Sequence, residues 1–591
     1  MKRLYTLGLA LIVGHLASGQ VTYIPIGSDD HYNLDRLQTL QGKLSNNLRL
    51  DNQGVSRKDA VSFLEDLLTA TVNDKKIHLS RADKYNLSQM IAENAEWAKE
   101  EKTYEPSKHP LFKTFYKTKY NLFEHHSKDF FIVINPVLNV MMTKETNSPV
   151  VAGVPSKYVY KVNNFEVRGG IGKKIGFYAT FTDIGEQLPA FIYRYAVKDS
   201  GNSNRRIVFP GNDYFLPSSP TPASNLTVIQ AAGYFDFAAI KDHLNVTFGN
   251  GKFFIGDGIS SLFLTDLSSN MPFLRLRAHF GKLSYETIYL QMTSQFKKAN
   301  DGMFTDHKYA TVHNLSYNFN RWLNVGFFEA MVADNTGGIR ANVMNPVPLS
   351  YPFGFMMNAG DNSIWGLSGK ILATRKLQFY GQFMVNNSLG KEANNRRSNY
   401  FGLQGGLKCF NLLGIKNLDV QIEADAVQPF AYSANDTIAN FTNYNQPLAD
   451  PLGSNFVKTI AVVHFQPYKN ITAVVKATNF KQGADLVNDN TNYGGNIFSQ
   501  TKSGTLGGNG KATGFVSGPQ ITGSNISVNL SFQIKRNVFF DIGTVYAQFN
   551  TPGKNITYTS TIGMLRNDFN TNYTYFGLRI NSARRDYTRY Y

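Results

Sequence analysis

The chain has 591 residues, a formal net charge of +17, 13% aromatic residues and one cysteine. Many aromatics with few charges exclude a disordered chain, and one cysteine excludes an intramolecular disulfide framework or a Cys-rich zinc module. Beyond the first twenty residues there is no apolar run of about 18 residues, which excludes helical membrane spans.

Lys2 and Arg3 precede an apolar stretch from Leu4 to Leu16, and Ala17-Ser18-Gly19 places small residues before Gln20. This is the pattern of a secretory signal peptide over 1–19. No cysteine follows the cleavage position, so a lipoprotein anchor is not expected. Residues 31–105 lack strand alternation. Ser56-Arg57-Lys58-Asp59 and Ser80-Arg81-Ala82-Asp83 read as helix starts, the Ser oxygen accepting from an exposed amide and the Asp facing the positive helix end. Val61, Leu64, Leu67 and Leu68 recur at helical spacing, and the second helix is expected to reach about Trp97, before Pro106 and Pro110. Residues 20–128 thus read as a small helical segment and linker.

From Phe130 onward the period is two. In Asn525–Lys535, Ile526, Val528, Leu530, Phe532 and Ile534 share one face and Ser527, Asn529, Ser531 and Gln533 the other. In Asp419–Val427, Val420, Ile422 and Ala424 oppose Gln421, Glu423 and Asp425. About 18 strands (16–18) are expected over 129–591, joined alternately by short turns and long loops. That is the pattern of a transmembrane antiparallel β-barrel, mainly β, in a bacterial outer membrane. A spanning sheet can leave no unpaired edge, so it must close. With short turns on the periplasmic side, both termini and the helical segment are periplasmic and the long loops extracellular. A secreted β-sandwich also alternates, but needs no strict short–long alternation.

The polar faces carry Arg168, Arg275, Arg277, Glu423 and Asp425, candidate lumen charges of both signs whose pairing would narrow the barrel. Glu124-His125-His126 is no metal site by spacing, since neighbours on an extended chain point apart. Cys409 reads as an inert strand residue. No nucleophile, phosphate-loop or zinc-protease motif occurs, so neither an enzyme nor a cofactor is expected, and no nucleic-acid motif occurs either.

The richest local signal runs from Phe248 to Asp266, with four glycines in ten residues followed by Leu262-Phe263-Leu264. The trio is too apolar for a free loop, so the segment is expected to fold into the barrel, held by Phe253, Phe254, Leu262 and Leu264. Lys252, Asp257, Ser260, Ser261 and Asp266 are its candidate binding residues.

This segment resembles the family of capsule-assembly Wzi-type outer-membrane proteins and gliding-motility proteins of the RemB type. Pro106–Tyr116, Phe131–Leu138, Lys173–Tyr178, Phe209-Pro210-Gly211, Ala232-Gly233-Tyr234 and Arg321–Glu329 also look like that family. The chain departs from it at Gly251, where an acid is expected, and at Ser260, where an arginine is expected. The resemblance implies a non-enzymatic 18-stranded barrel with a periplasmic helical segment, organising the cell surface through capsule attachment or gliding motility. The implied partners are outer-membrane lipid and lipopolysaccharide, surface polysaccharide, and other motility or envelope proteins. The alternative is an outer-membrane porin or uptake channel, since eighteen strands can leave an aqueous pore.

Overall fold

The computed structural model describes residues 21–99, 115–146, 157–186, 226–294, 307–333, 362–388, 399–486, 492–498, 514–551 and 568–589, apart from a few positions within them, and short stretches between. The expected signal peptide and the Pro106–Pro110 segment lie outside these residues.

Three helices open the chain: α1 Asp29–Gln41, α2 Arg57–Asn73 and α3 Arg81–Glu93. Ser28, Ser56 and Ser80 cap them, each hydroxyl accepting from a first-turn amide. At Ser80 the cap is reciprocal, Asp83 Oδ2 accepting from the Ser80 amide at 2.9 Å. Helix α3 stops at Glu93, short of the expected Trp97, which closes a separate 3-10 turn.

The strands are β1 Phe123–His126, β2 Phe130–Thr146, β3 Lys157–Ile171, β4 Ile175–Glu186, β5 Leu226–Ile240, β6 Leu244–Gly251, β7 Met271–Phe280, β8 Leu283–Thr293, β9 His307–Asn318 and β10 Leu323–Ala333. They continue as β11 Asn362–Leu372, β12 Leu377–Ser388, β13 Asn399–Cys409, β14 Leu418–Val427, β15 Phe456–Tyr468, β16 Ile471–Gly483, β17 Gln520–Lys535, β18 Val538–Asn550 and β19 Phe569–Ile580. They form one 19-stranded antiparallel sheet, and its eighteen long members close into a barrel as the alternation requires. The closing ladder joins β2 to β19 from Leu138↔Ile580 to Thr146↔Asn572. Below it the edge of β2 is covered by β1, from Phe123↔Ile134 to His126↔Phe131. The Glu124-His125-His126 stretch is therefore sheet and not linker.

The barrel wall is apolar outward and polar inward. On β17, Ile526, Leu530, Phe532 and Ile534 are exposed while Asn525, Asn529 and Ser531 are buried. On β14, Ile422 is exposed while Asp419, Glu423 and Asp425 are buried. Exposed Phe165, Phe181, Phe235, Phe248, Phe280, Leu367, Leu403, Val457 and Phe576 carry the apolar belt round the barrel. Water would penalise such a surface, whereas hydrocarbon accepts it.

The helical domain follows the opposite rule and buries Leu34, Leu37, Val61, Leu64, Leu67, Leu87 and Met90 in its own core. It sits on the short-turn rim. The Leu44 amide donates to Arg321 O at 2.8 Å, Lys58 pairs with Asp242 at 2.6 Å and Arg375 with Asp74 at 2.8 Å. Its strongest anchor is Arg36, 2% exposed, which binds Asp83 at 2.8 Å and Asp419 of the wall at 2.5 Å. Residues 51–54 reach past the rim into the mouth, where Arg277 Nη1 donates to Gly54 O at 2.8 Å.

Candidate functional site

Beyond β6 the glycine-rich segment turns into the barrel. Phe253 meets Phe273 edge-on at 4.8 Å and Phe263 stacks on Phe328 at 4.4 Å. Leu262, Phe263 and Leu264 are at most 1% exposed. Each such side chain contributes ~1.5–3 kcal/mol on full burial, enough to keep the loop inside. A Cβ on Gly366 of the wall would collide with the Phe263 ring, so the close approach needs a glycine there.

The wall also grips the loop by hydrogen bonds. Glu423 accepts from the Ile259 amide at 2.7 Å, the Ser260 amide at 2.8 Å and Tyr380 Oη at 2.8 Å. Two successive amides thus hold a wall carboxylate, and a Cβ on the residue before them, Gly258, would strike that same carboxylate. Gln382 Oε1 accepts from the Leu262 amide at 2.8 Å, and Lys458 donates to Ser260 Oγ at 2.7 Å while pairing with Asp450 and, at 3.4 Å, Asp425.

From the short-turn side the helical domain meets the loop directly. The Gln53 amide donates to Phe254 O at 3.1 Å, and the Gly256 amide to Asp51 O at 2.8 Å. Asn52 hydrogen-bonds Glu286 of β8. A row of alternating charges runs alongside: Asp257 of the loop pairs with Lys370 of β11, Lys370 lies 3.6 Å from Asp35 of α1, and Asp35 accepts from Lys408 of β13 at 2.6 Å. Burial pushes the Asp257 carboxyl up and Lys370 pulls it back, with the balance above the ordinary value. The two pieces thus touch inside the lumen, and residues 430–452 pack on the loop as well, Tyr432 Oη donating to Leu262 O at 2.8 Å and Leu448 O accepting from the Thr265 amide at 2.7 Å.

The candidate residues divide accordingly. Arg168 holds the helical domain through Glu96 at 2.8 Å and the Glu93 carbonyl at 2.7 Å. Arg275 lies over the Tyr23 ring at 4.2 Å and Arg277 over the same ring at 5.3 Å, both facing Glu286. Glu423 and Asp425 instead serve the loop and Lys458. Within the loop, Ser261 Oγ donates to Ile255 O at 2.5 Å and accepts from the Phe263 amide at 3.1 Å, so it shapes the turn. Lys252 donates to Gly211 O at 2.8 Å, and Asp266 pairs with Arg589.

Lys252 and Asp266 also line a cavity of about 250 Å³ with Tyr23, Tyr178 and Tyr234. Tyr178 and Tyr234 are stacked at 5.4 Å and 17°, and Tyr23 meets Tyr234 at 5.4 Å. Tyr23 Oη donates to Asp236 at 2.7 Å, and burial pushes its phenol up to about 12, so it keeps its proton. Asn250 and Asn270 complete the polar side. Arg275 lines it too, so two cations face one carboxylate. Aromatic faces beside amides and charged groups suit a hydroxyl-rich ring, whose C–H face stacks while its hydroxyls hydrogen-bond. Sequence reasoning missed this tyrosine group, although Tyr178 and Tyr234 occupy paired positions on neighbouring strands. It also missed Lys370 and Lys458, each a lone cation in an otherwise uncharged strand segment, which is itself a lumen signal.

No family model matches the sequence, and no curated protein matches it. Among solved structures the fold is similar to Wzi of Escherichia coli, described as an outer-membrane protein involved in group 1 capsule assembly and a carbohydrate-binding β-barrel. That likeness has 13% identity, covers 96% of this chain and 100% of that one, and has a TM-score of 0.53. OpdK of Pseudomonas aeruginosa, with vanillate, is similar at 8% identity over 76% of this chain and 98% of that one, with a TM-score of 0.42. The fold is thus that of outer-membrane barrels.

Proposed function

We propose that the chain is a non-enzymatic outer-membrane barrel that retains polysaccharide at the cell surface. The observation that carries this reading is the occupied lumen. A wall with an apolar exterior encloses a core entered by residues 51–54 from one rim and by the Phe253–Leu264 turn from the other. Such a barrel offers binding surface within a narrowed lumen, which weighs against the porin alternative. The tyrosine-lined cavity beside Lys252 and Asp266 supplies the chemistry for a sugar ring. Carbohydrate binding by the similarly folded Wzi agrees with it. The short-turn rim and the helical domain are assigned to the periplasm, and the long loops to the exterior; the C-terminal residues, expected in the periplasm, instead lie inside the barrel, where Tyr587 packs on Tyr573 and Tyr575 and Arg589 pairs with Asp266. Participation in gliding motility, which the family resemblance implies, would follow if the retained polymer is the one the cell moves on.

The test is a deletion strain scored for retained polysaccharide, colony spreading and solute uptake, complemented by wild type and by Tyr178→Ala with Tyr234→Ala. The reading expects polysaccharide to be shed by the deletion and by the double variant, with the folded barrel still present. Intact retention together with lost solute uptake would establish the channel instead.

A further inference from the structure

The barrel wall is not of even height. Strand β5 runs for 15 residues and its neighbour β6 for 8, because β6 ends at Gly251, where the chain turns into the lumen. On one side β5 stays paired with β4 up to Glu186↔Leu226, whereas on the other β6 stops pairing at Gly233↔Asn250. Strand β7 reaches no higher, since its first pair is Met271↔Gly251. Among the described residues, no strand covers residues 226–232 of β5 on the β6 side. The facing edge of β8 is answered: the Thr293 amide donates to Asn443 Oδ1 at 3.0 Å, and Thr293 O accepts from the Tyr444 amide at 2.9 Å. A slot is left beside β5, toward the long-loop rim.

This slot lies within the apolar belt. Phe181, 58% exposed, is paired with Ala231, and Ile229 and Phe248 flank the slot at 61% and 65% exposed. Two amides nevertheless stand there. Asn250 shares the outward phase of Phe248, and Asn270 that of exposed Pro272, and both are half-buried. Both donate to Ala231 O, at 2.9 and 3.4 Å. They replace the backbone donor that a longer β6 would bring to this edge. Two residues further on, the Ile229 N–H and C=O face the same slot by the alternation of the strand, and no described residue answers them. Hydrocarbon leaves such groups unsatisfied at a high cost, so a polar ligand group belongs in the slot.

The slot leads to the tyrosine cavity. The lining of that cavity runs from Tyr178 and Tyr234, which face the lumen, past Ala232 and Gly233 of the strand edge to Asn250 and Asn270 on the outer phase of the wall. On the lumen side Gly211 O bridges Gln230 at 3.1 Å and Lys252 at 2.8 Å. The ligand that matches both ends of this path is an amphiphile. Its hydroxyl-rich head meets tyrosines and amides, and its acyl chains run along Phe248, Ile229 and Phe235.

We propose that the barrel takes the sugar head of an outer-leaflet glycolipid sideways, through the slot beside β5, while the acyl chains stay in the bilayer. The inference rests on the reading of the tyrosine cavity as a sugar site, and adds to it the route and the lipid-anchored form of the ligand.

The test uses the full mature chain in phosphatidylcholine nanodiscs, with diglucosyl diacylglycerol and its deacylated head group, diglucosylglycerol, as probes. Native mass spectrometry counts the retained lipid, and titration calorimetry measures head-group binding. The glycolipid should be enriched about tenfold or more over phosphatidylcholine of the same chain length, since its hydroxyls answer the unpaired edge. Ala231→Trp places a ring at the outer mouth of the slot, away from the cavity lining. It should reduce the enrichment about tenfold and leave head-group binding unchanged. Tyr178→Ala with Tyr234→Ala should weaken both probes, and every variant should retain the heat-dependent gel shift of the folded barrel. Glycolipid no more enriched than phosphatidylcholine, or enrichment untouched by Ala231→Trp, overturns the sideways route, and continued head-group binding in either case leaves the cavity reading standing. Binding of neither probe overturns both.

Discussion

The barrel wall and the helical domain are built from the same residue types with opposite placement. Leu67 of α2 is fully buried, while Leu530 of β17 is 37% exposed. Asn529, next to Leu530, is 6% exposed and bonded to Tyr575 Oη at 3.1 Å. One hydrophobic rule explains both regions if each meets a different solvent, water around the helices and hydrocarbon around the strands. Composition cannot separate the two cases, but the phase of burial along each element can. Where the regions meet, neither rule applies, and the interface is held by charge instead.

The largest test of that contrast is at the junction. Arg36→Ala leaves Asp83 and Asp419 buried without their cation, and breaking a buried pair costs ~3–5 kcal/mol. Helices α1–α3 should become protease-sensitive while the barrel keeps its heat-dependent gel mobility. Loss of the barrel as well would mean that the two regions fold as one unit. Acid should act on the same joint. Burial raises the Asp83 carboxyl and Arg36 more than offsets it, leaving its affinity for a proton lower in the folded chain than in the unfolded one. That stabilisation is complete above the unfolded value of about 3.9 and fades as pH falls through the lower folded one. Proteolysis of the helices should therefore rise below about pH 4 and not above it.

A paired substitution compares the solvents directly. Leu530→Arg should cost ~2–4 kcal/mol in lipid if it lies near the bilayer midplane. The cost of Leu67→Ala, also ~2–5 kcal/mol, should be the same in lipid and in detergent because its surroundings are protein. Denaturant titration in both media decides this, and a Leu530→Arg cost near zero in lipid would put that face elsewhere. Topology sharpens the comparison further. With Cys409 replaced, a cysteine at Val72, which is 80% exposed, should resist an impermeant thiol reagent on intact cells and react after lysis. Labelling of unbroken cells would put the helices outside. The smallest effect is at the Ser80 cap, where Ser80→Ala should lower helical-domain stability by ~0.5–2 kcal/mol without touching the barrel.

The wall was legible because a strand between lipid and lumen must alternate, and all long strands begin within a few residues of where the alternation starts. Leu262-Phe263-Leu264 was legible for a related reason, as three apolar residues need cover. Helix α1 gave no such stripe. It buries Asp35, Arg36 and Gln38 along with Leu34 and Leu37, since one side faces its own core and the other a charged wall. The chain's last described residues are hidden for a related reason: Tyr587, 3% exposed, packs between Tyr573 and Tyr575 of the wall without continuing a strand, so no periodicity marks it. Partners such as Lys370 for Asp257 were beyond reach, because they depend on which strands face each other across the barrel.

The covered seam has a bearing on how the molecule comes to exist. Strand β2 is completed on one side by β1 below and β19 above, so the first and last spans of the sheet are joined over nine residue pairs and a four-residue patch. A nascent chain that stops short of Phe569, and so lacks β19, has two raw edges and cannot seal. Residues 51–54 lie within the mouth, so they must also be in place as the ring shuts or be threaded in afterwards. Closure is thus a terminal event, a clasp fastened once synthesis is over, and a chain cut short is left as an open ribbon with no stable home in the bilayer.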